Sequence, residues 1–137
     1  MRLIWFRGKR LFSYGYNDAW IEGGFHQRDG KSDIIGISKN YRIDGCEVDP
    51  ETVGQYTGLT DKNGTRIFEG DIVAGAVHWL ERYKNGVVAF RDGSFGLIWH
   101  RGDIEQFNAF TGMCNVEYEV IGNIHDNPEL LEGREKT

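Results

Sequence analysis

At 137 residues the chain has the size of one domain, long enough to bury roughly two-thirds of the surface its unfolded form would expose. Hydrophobic residues at 39% and charged residues at 27% are ordinary for a globular protein, so neither a disordered nor a membrane-spanning class has support, and no apolar run approaches bilayer length. The formal charge of −5 is laid out unevenly: residues 1 to 45 hold eight Lys/Arg against five Asp/Glu, residues 46 to 137 eight against sixteen, an opposition that favours contact within a subunit or between neighbours.

Nineteen glycines, eighteen aromatic residues and only two prolines point to short strands joined by tight turns. Leu3-Ile4-Trp5-Phe6 is an apolar run that ends in the basic cluster Arg7, Lys9 and Arg10. Trp20-Ile21 followed by Gly23-Gly24 reads as a strand ending in a turn, Arg28-Asp29-Gly30 as a turn, and Asp33 to Ile37 and Tyr41 to Ile43 as strands. In Val48-Asp49-Pro50-Glu51-Thr52, Asp49 suits the cap of one helical turn and Pro50 its first position.

Asn63-Gly64 suits a tight hairpin, after which Ile67-Phe68, the corner Glu69-Gly70-Asp71 and Ile72-Val73 alternate core and corner as in small barrels. Asn85-Gly86 and Asp92-Gly93 each read as two-residue turns. The second sets a register in which Phe90 faces Phe95 and Val88 faces Leu97, making one dry side. The first places Tyr83 opposite Val88. On the other side Ala89 and Gly96 leave a depression that a bulky ring such as tryptophan would fill. Residues 77 to 83 fit a strand better than a helix, although Val77, Leu80 and Tyr83 recur every three residues. Val116 to Val120 alternates as a last strand, kinked at Gly122, and Asn127, Pro128, Glu129, Leu130-Leu131 and Gly133 spell a short helix with its cap and stop.

The block Val48 to Val73, with Gln55-Tyr56-Thr57-Gly58-Leu59, Asp61-Lys62-Asn63-Gly64 and Glu69-Gly70-Asp71-Ile72, resembles the signature segment of the YopX family of phage and prophage proteins. The opening IWFRGKR, WIEGG and the closing VIGNIHDNPELL are similar to that family as well. The resemblance implies a phage or prophage origin, a compact β-rich domain and self-association, with no assigned activity and no catalytic residues.

Read for chemistry, the chain lacks the familiar enzyme signatures. His26, His78, His100 and His125 are scattered, and Cys46 and Cys114 have no zinc-ligand spacing or disulfide framework, so neither a metal nor a cofactor is expected. A hydrolase would have to draw on pairs such as Glu69 with Asp71, Asp103 with Glu105 or Glu117 with Glu119, residue pairs that ordinarily mark solvated strand faces. Asn63-Gly64-Thr65 matches a glycosylation acceptor by letter, and without a secretion signal it is a turn. Arg7, Lys9 and Arg10 with Trp20 form the one basic and aromatic cluster, fit for a protein interface or for phosphates with a stacked base, although the net negative charge opposes the latter.

The expectation is therefore an all-β protein of one compact domain. A small N-terminal β unit, 1 to 47, precedes an SH3-like, partly open barrel over 48 to 137 that ends in a short helix. Its expected role is a non-enzymatic binding or assembly module in the bacterial cytoplasm, acting as a homo-oligomer or with a phage or host protein, away from membranes. A nucleic-acid-binding accessory protein is the alternative and an unrecognised hydrolase the next.

Overall fold

The computed structural model describes residues 3–12, 19–38, 41–74, 85–110 and 118–131, and these form ten antiparallel strands and one 3-10 turn, so the protein is all-β. Two compact units are present, Met1–Tyr56 and Thr57–Thr137. The expected junction at 47/48 falls inside the longest strand.

In the first unit, β1 (Phe6–Arg10), β2 (Trp20–Arg28), β3 (Lys31–Ser38) and β4 (Tyr41–Thr60) pair in order, and β1 also pairs with β4, closing a ring. The β2–β3 turn is local chemistry. Asp29 and Gly30 adopt φ of 50° and 76°, the paired positive values that match strand twist, and Arg28 sits opposite Lys31. Inside the ring, Ile21, Ile34 and Val48 are fully buried, with Phe6, Phe25, Cys46 and Val53 packed around them.

Two local expectations in this unit are corrected. Gly23 and Gly24 do not end a strand but lie within β2, because Gly23 crosses the backbone of Ile35 and Gly36 so closely that a side chain has no room. Asp49 and Pro50 do not start a helical turn: they belong to β4, where the register against β1 jumps from Arg7↔Gly54 to Lys9↔Asp49. The extra residues form a bulge at which Pro50 and Glu51 are exposed, and a break in the ladder accommodates a proline without an amide donor. Asp49 Oδ1 accepts from the Glu51 amide at 3.1 Å, the Thr52 hydroxyl donates to the Asp49 carbonyl at 2.6 Å, and Thr52 Oγ1 accepts from the Lys9 amide at 2.8 Å.

In the second unit a sheet of order β10-β6-β7-β8-β9 contains β6 (Asp71–Ala74), β7 (Gly86–Arg91), β8 (Ser94–Arg101), β9 (Ile104–Ala109) and β10 (Glu119–Asn123). The short β5 (Arg66–Phe68) neighbours β4. The core is Ile67, Val73, Val88, Leu97 and Trp99, with Leu59, Phe110, Tyr118 and Val120 against it.

The Asp92-Gly93 hairpin has the register the sequence predicts, Val88↔Leu97, Ala89↔Gly96 and Phe90↔Phe95, with φ of 51° and 81° in the turn. Its face is only partly dry. Val88 and Leu97 are buried, whereas Phe90, nearer the turn, is 53% exposed and meets Phe95 edge-on at 5.0 Å. The depression at Ala89 and Gly96 is filled by Phe107 from β9, not by a tryptophan, and the Arg91 guanidinium lies 5.9 Å from that ring. Because Gly93 holds a positive φ with open space around it, Gly93→Ala should cost about 1 kcal/mol, read as a lower urea midpoint at unchanged slope.

Gly86 opens β7 opposite Val73 rather than centring a turn, and residues 75–84, with Tyr83, lie outside the described residues, as do 111–117 and Cys114. β10 has its irregularity where the kink was expected, between Val120 and Gly122. A Cβ on Gly122 would collide with Asn127 and Leu130, so glycine here lets the closing segment dock. That segment is a four-residue 3-10 turn, Pro128–Leu131. Asn127 does not cap it with its side chain; Oδ1 accepts from the Asn123 amide at 3.2 Å and its carbonyl from the Leu130 amide at 3.1 Å.

Candidate functional site: a cation-aromatic face and the signature acids

The four residues singled out for an interface, Arg7, Lys9, Arg10 and Trp20, occupy neighbouring strands but not one face. Strand alternation puts Arg7 and Lys9 on the same side of β1, where Trp20 stands opposite Lys9 and Glu22 opposite Arg7. The Arg7 guanidinium lies 4.8 Å from the centre of the Trp20 ring and the Lys9 ammonium 6.0 Å. Trp5 donates its indole N–H to Glu22 at 3.3 Å, placing a carboxylate beside the cations, a neighbour visible only once β1 and β2 are paired. Arg10 faces the other way and donates to the Cys46 sulfur at 3.3 Å.

Cations held on an indole present charge without the entropy of free side chains, which suits a protein contact. The same geometry places a guanidinium against the ring on which a nucleobase would stack, and Glu22 repels phosphate.

The charge opposition read along the sequence is largely met inside the first unit. Met1–Tyr56 contains eight basic and eight acidic residues, because Glu47, Asp49 and Glu51 lie on β4, the strand that pairs with β1 and sets Asp49 opposite Lys9. Thr57–Thr137 contains eight and thirteen, so the acidity belongs to the second unit.

The acids of the signature block act on backbone. Asp61, 5% exposed, accepts the amides of Asn63 at 2.8 Å and Thr65 at 2.9 Å on Oδ1, and that of Val120 at 2.9 Å on Oδ2. Burial works to raise its pKa, but the three amides, Val120 first, together with the Lys62 charge outweigh it and hold the carboxyl below its ordinary range. Asp71, 1% exposed, accepts the Phe68 amide at 2.8 Å and so fixes the Glu69-Gly70 corner.

Two of the other candidate acids, Glu119 and Glu105, engage bases. Glu119 pairs with Lys62 at 3.6 Å, and Glu105 with Arg91 at 2.8 Å, whose hydrogen bond lowers the Glu105 pKa; His100 stands 3.9 Å from the same carboxylate. Glu117 and His78 lie outside the described residues. Among the described residues no group of three His, Cys, Asp or Glu side chains is arranged to hold a metal ion, and no helix is long and apolar enough to cross a membrane.

Against known proteins, a family model described as YopX protein matches residues 10–132. A crystal structure of protein EF1440 from Enterococcus faecalis is similar at 28% identity, covering 96% of this chain and 100% of that chain, with a TM-score of 0.45. A search of curated proteins gave no match.

Proposed function

Because the chain belongs to the YopX family, we propose that it is a phage- or prophage-encoded, non-enzymatic binding or assembly module that works as a homo-oligomer in the bacterial cytoplasm. The observation that carries this reading is a pre-organised cationic face, Arg7 and Lys9 on Trp20, in a chain whose second unit is acidic. Such a face on one copy steers toward the acidic surface of another, and the contact weakens with salt. The SH3-like character expected of the barrel belongs to this proposal, since small barrels present their strands and corners to partners.

The engagement of Asp61 and Asp71 with backbone amides also supports a binding role over a hydrolytic one, because a carboxylate so held is a poor proton donor or acceptor. Nucleic-acid binding gains less support, for the ring and Glu22 reasons above. Size-exclusion chromatography with light scattering should give a mass above that of one chain at low salt, and Arg7→Ala with Lys9→Ala should remove the salt-sensitive part of the association. A single-chain mass at every salt and protein concentration overturns the proposal.

A further inference from the structure

The two edges of the second unit's sheet are treated differently. At β10 the edge is closed: the Val120 amide donates to Asp61, the Tyr118 carbonyl accepts from the Lys62 amide at 3.0 Å, and a bulge breaks the strand between Val120 and Gly122. At the other edge, among the described residues, β9 pairs with β8 alone and runs through six residues, Ile-Glu-Gln-Phe-Asn-Ala, without a register shift, a proline or a lysine. Natural sheets blunt an exposed edge with such devices, and their absence at β9 leaves it able to pair.

The hydrogen-bond phase says which groups it offers. The Phe110 amide donates to the Phe95 carbonyl, so Phe95 and Phe110 exchange bonds, as do every second pair along the ladder, Leu97 with Asn108 and Trp99 with Gln106. Glu105, Phe107 and Ala109 therefore direct their amides and carbonyls outward, away from β8. Among the described residues no backbone partner takes them.

We propose that the outer edge of β9 pairs with β9 of a second copy about a two-fold axis at Phe107, joining the two sheets into one. This rests on the self-association reading and adds a second surface to it, separate from the cationic face and held by backbone hydrogen bonds that salt does not screen. The strand is complementary to itself in that register. Phe107 faces Phe107 of the second copy, Glu105 faces Ala109 in both directions, and Gln106 faces Asn108, so the strand's one charge, Glu105, never meets its like. The outward amides and carbonyls at Glu105, Phe107 and Ala109 are all satisfied by the pairing, and Ile104, 61% exposed, comes opposite Phe110 of the second copy.

Ala109 tests it. Ala109→Pro removes an outward amide and leaves the β8 ladder intact, so the variant should keep its strand spectrum and unfolding midpoint while losing the dimer at concentrations where the parent protein is dimeric. Ala109→Glu sets two carboxylates against each other twice and should weaken the dimer about tenfold, whereas Ala109→Lys, facing Glu105, should not. The Glu and Lys variants decide the matter should the proline variant fail to fold. Read at high salt, where the Arg7 and Lys9 contact is screened, a parent protein that is oligomeric and stays so in Ala109→Pro, or is weakened equally by Glu and Lys, overturns the β9 pairing and leaves self-association standing. A parent protein that is a monomer throughout overturns both.

Discussion

Asp61→Ala is expected to lower the unfolding free energy of the second unit by about 3–5 kcal/mol. Three amides lose a charged acceptor at once, each such bond being worth roughly 1.5–3 kcal/mol, and their contributions are not additive. The substitution acts at two places far apart in the chain, since it releases both the 61–65 turn and the Val120 amide at the edge of β10. Urea unfolding followed by tryptophan fluorescence measures it; a loss under about 1 kcal/mol would show that the clamp is incidental.

The same residue sets a pH dependence. The folded pKa of Asp61 lies below its ordinary value of 3.8, so its contribution is full above that value and is lost as the pH falls below it toward the folded pKa. Asp61→Asn should therefore be less stable than the parent protein at neutral pH, and the gap between them should narrow below about pH 4.

Gly23→Ala should destabilise the first unit by about 3 kcal/mol, while Gly24→Ala next to it should change little. A Cβ on Gly23 would lie 2.7 Å from the Ile35 carbonyl carbon and 3.0 Å from Gly36 Cα, backbone atoms that cannot swing aside. A Cβ on Gly24 meets only the Ile35 carbonyl oxygen, at the ordinary contact distance of 3.7 Å. Melting temperatures of the two variants form an internal control: equal shifts would mean that the close crossing of β2 and β3 does not limit the fold.

Side by side, these glycines mark how far the sequence was readable. Asp29-Gly30 and Asp92-Gly93 announce themselves because a two-residue turn is local: its residue types and its positive φ values lie together, and the register of the flanking strands follows. Gly23 misleads for the opposite reason. Its need for glycine comes from the backbone of Ile35 and Gly36, twelve and thirteen positions on, and the dipeptide alone looks like a corner. Asp49-Pro50 misleads likewise, since its cap-like chemistry serves a bulge that exists only because β1 lies alongside.

The cation-aromatic cluster was legible in part. Trp20 and the basic residues stand out by type, but what each of them meets depends on strand pairing: β2 brings Trp20 and Glu22 to Arg7 and Lys9, and β4 brings Cys46 to Arg10. The place of β9 was not legible, because a run of six ordinary residues gains its meaning from being last in the sheet of the described residues.

The sequence alone was enough for the all-β class, the turns at Asp29-Gly30 and Asp92-Gly93 with the register of the second, and the family, all of which are encoded in composition or in neighbouring residues. Only the long-range pairing shows that β1 closes a ring with β4, that the signature acid Asp61 reaches across the chain to Val120, and that β10 is sealed while β9, among the described residues, has β8 as its one partner. Each of these joins segments distant in the chain, and the energy of such a contact resides in a pairing partner that no local pattern names.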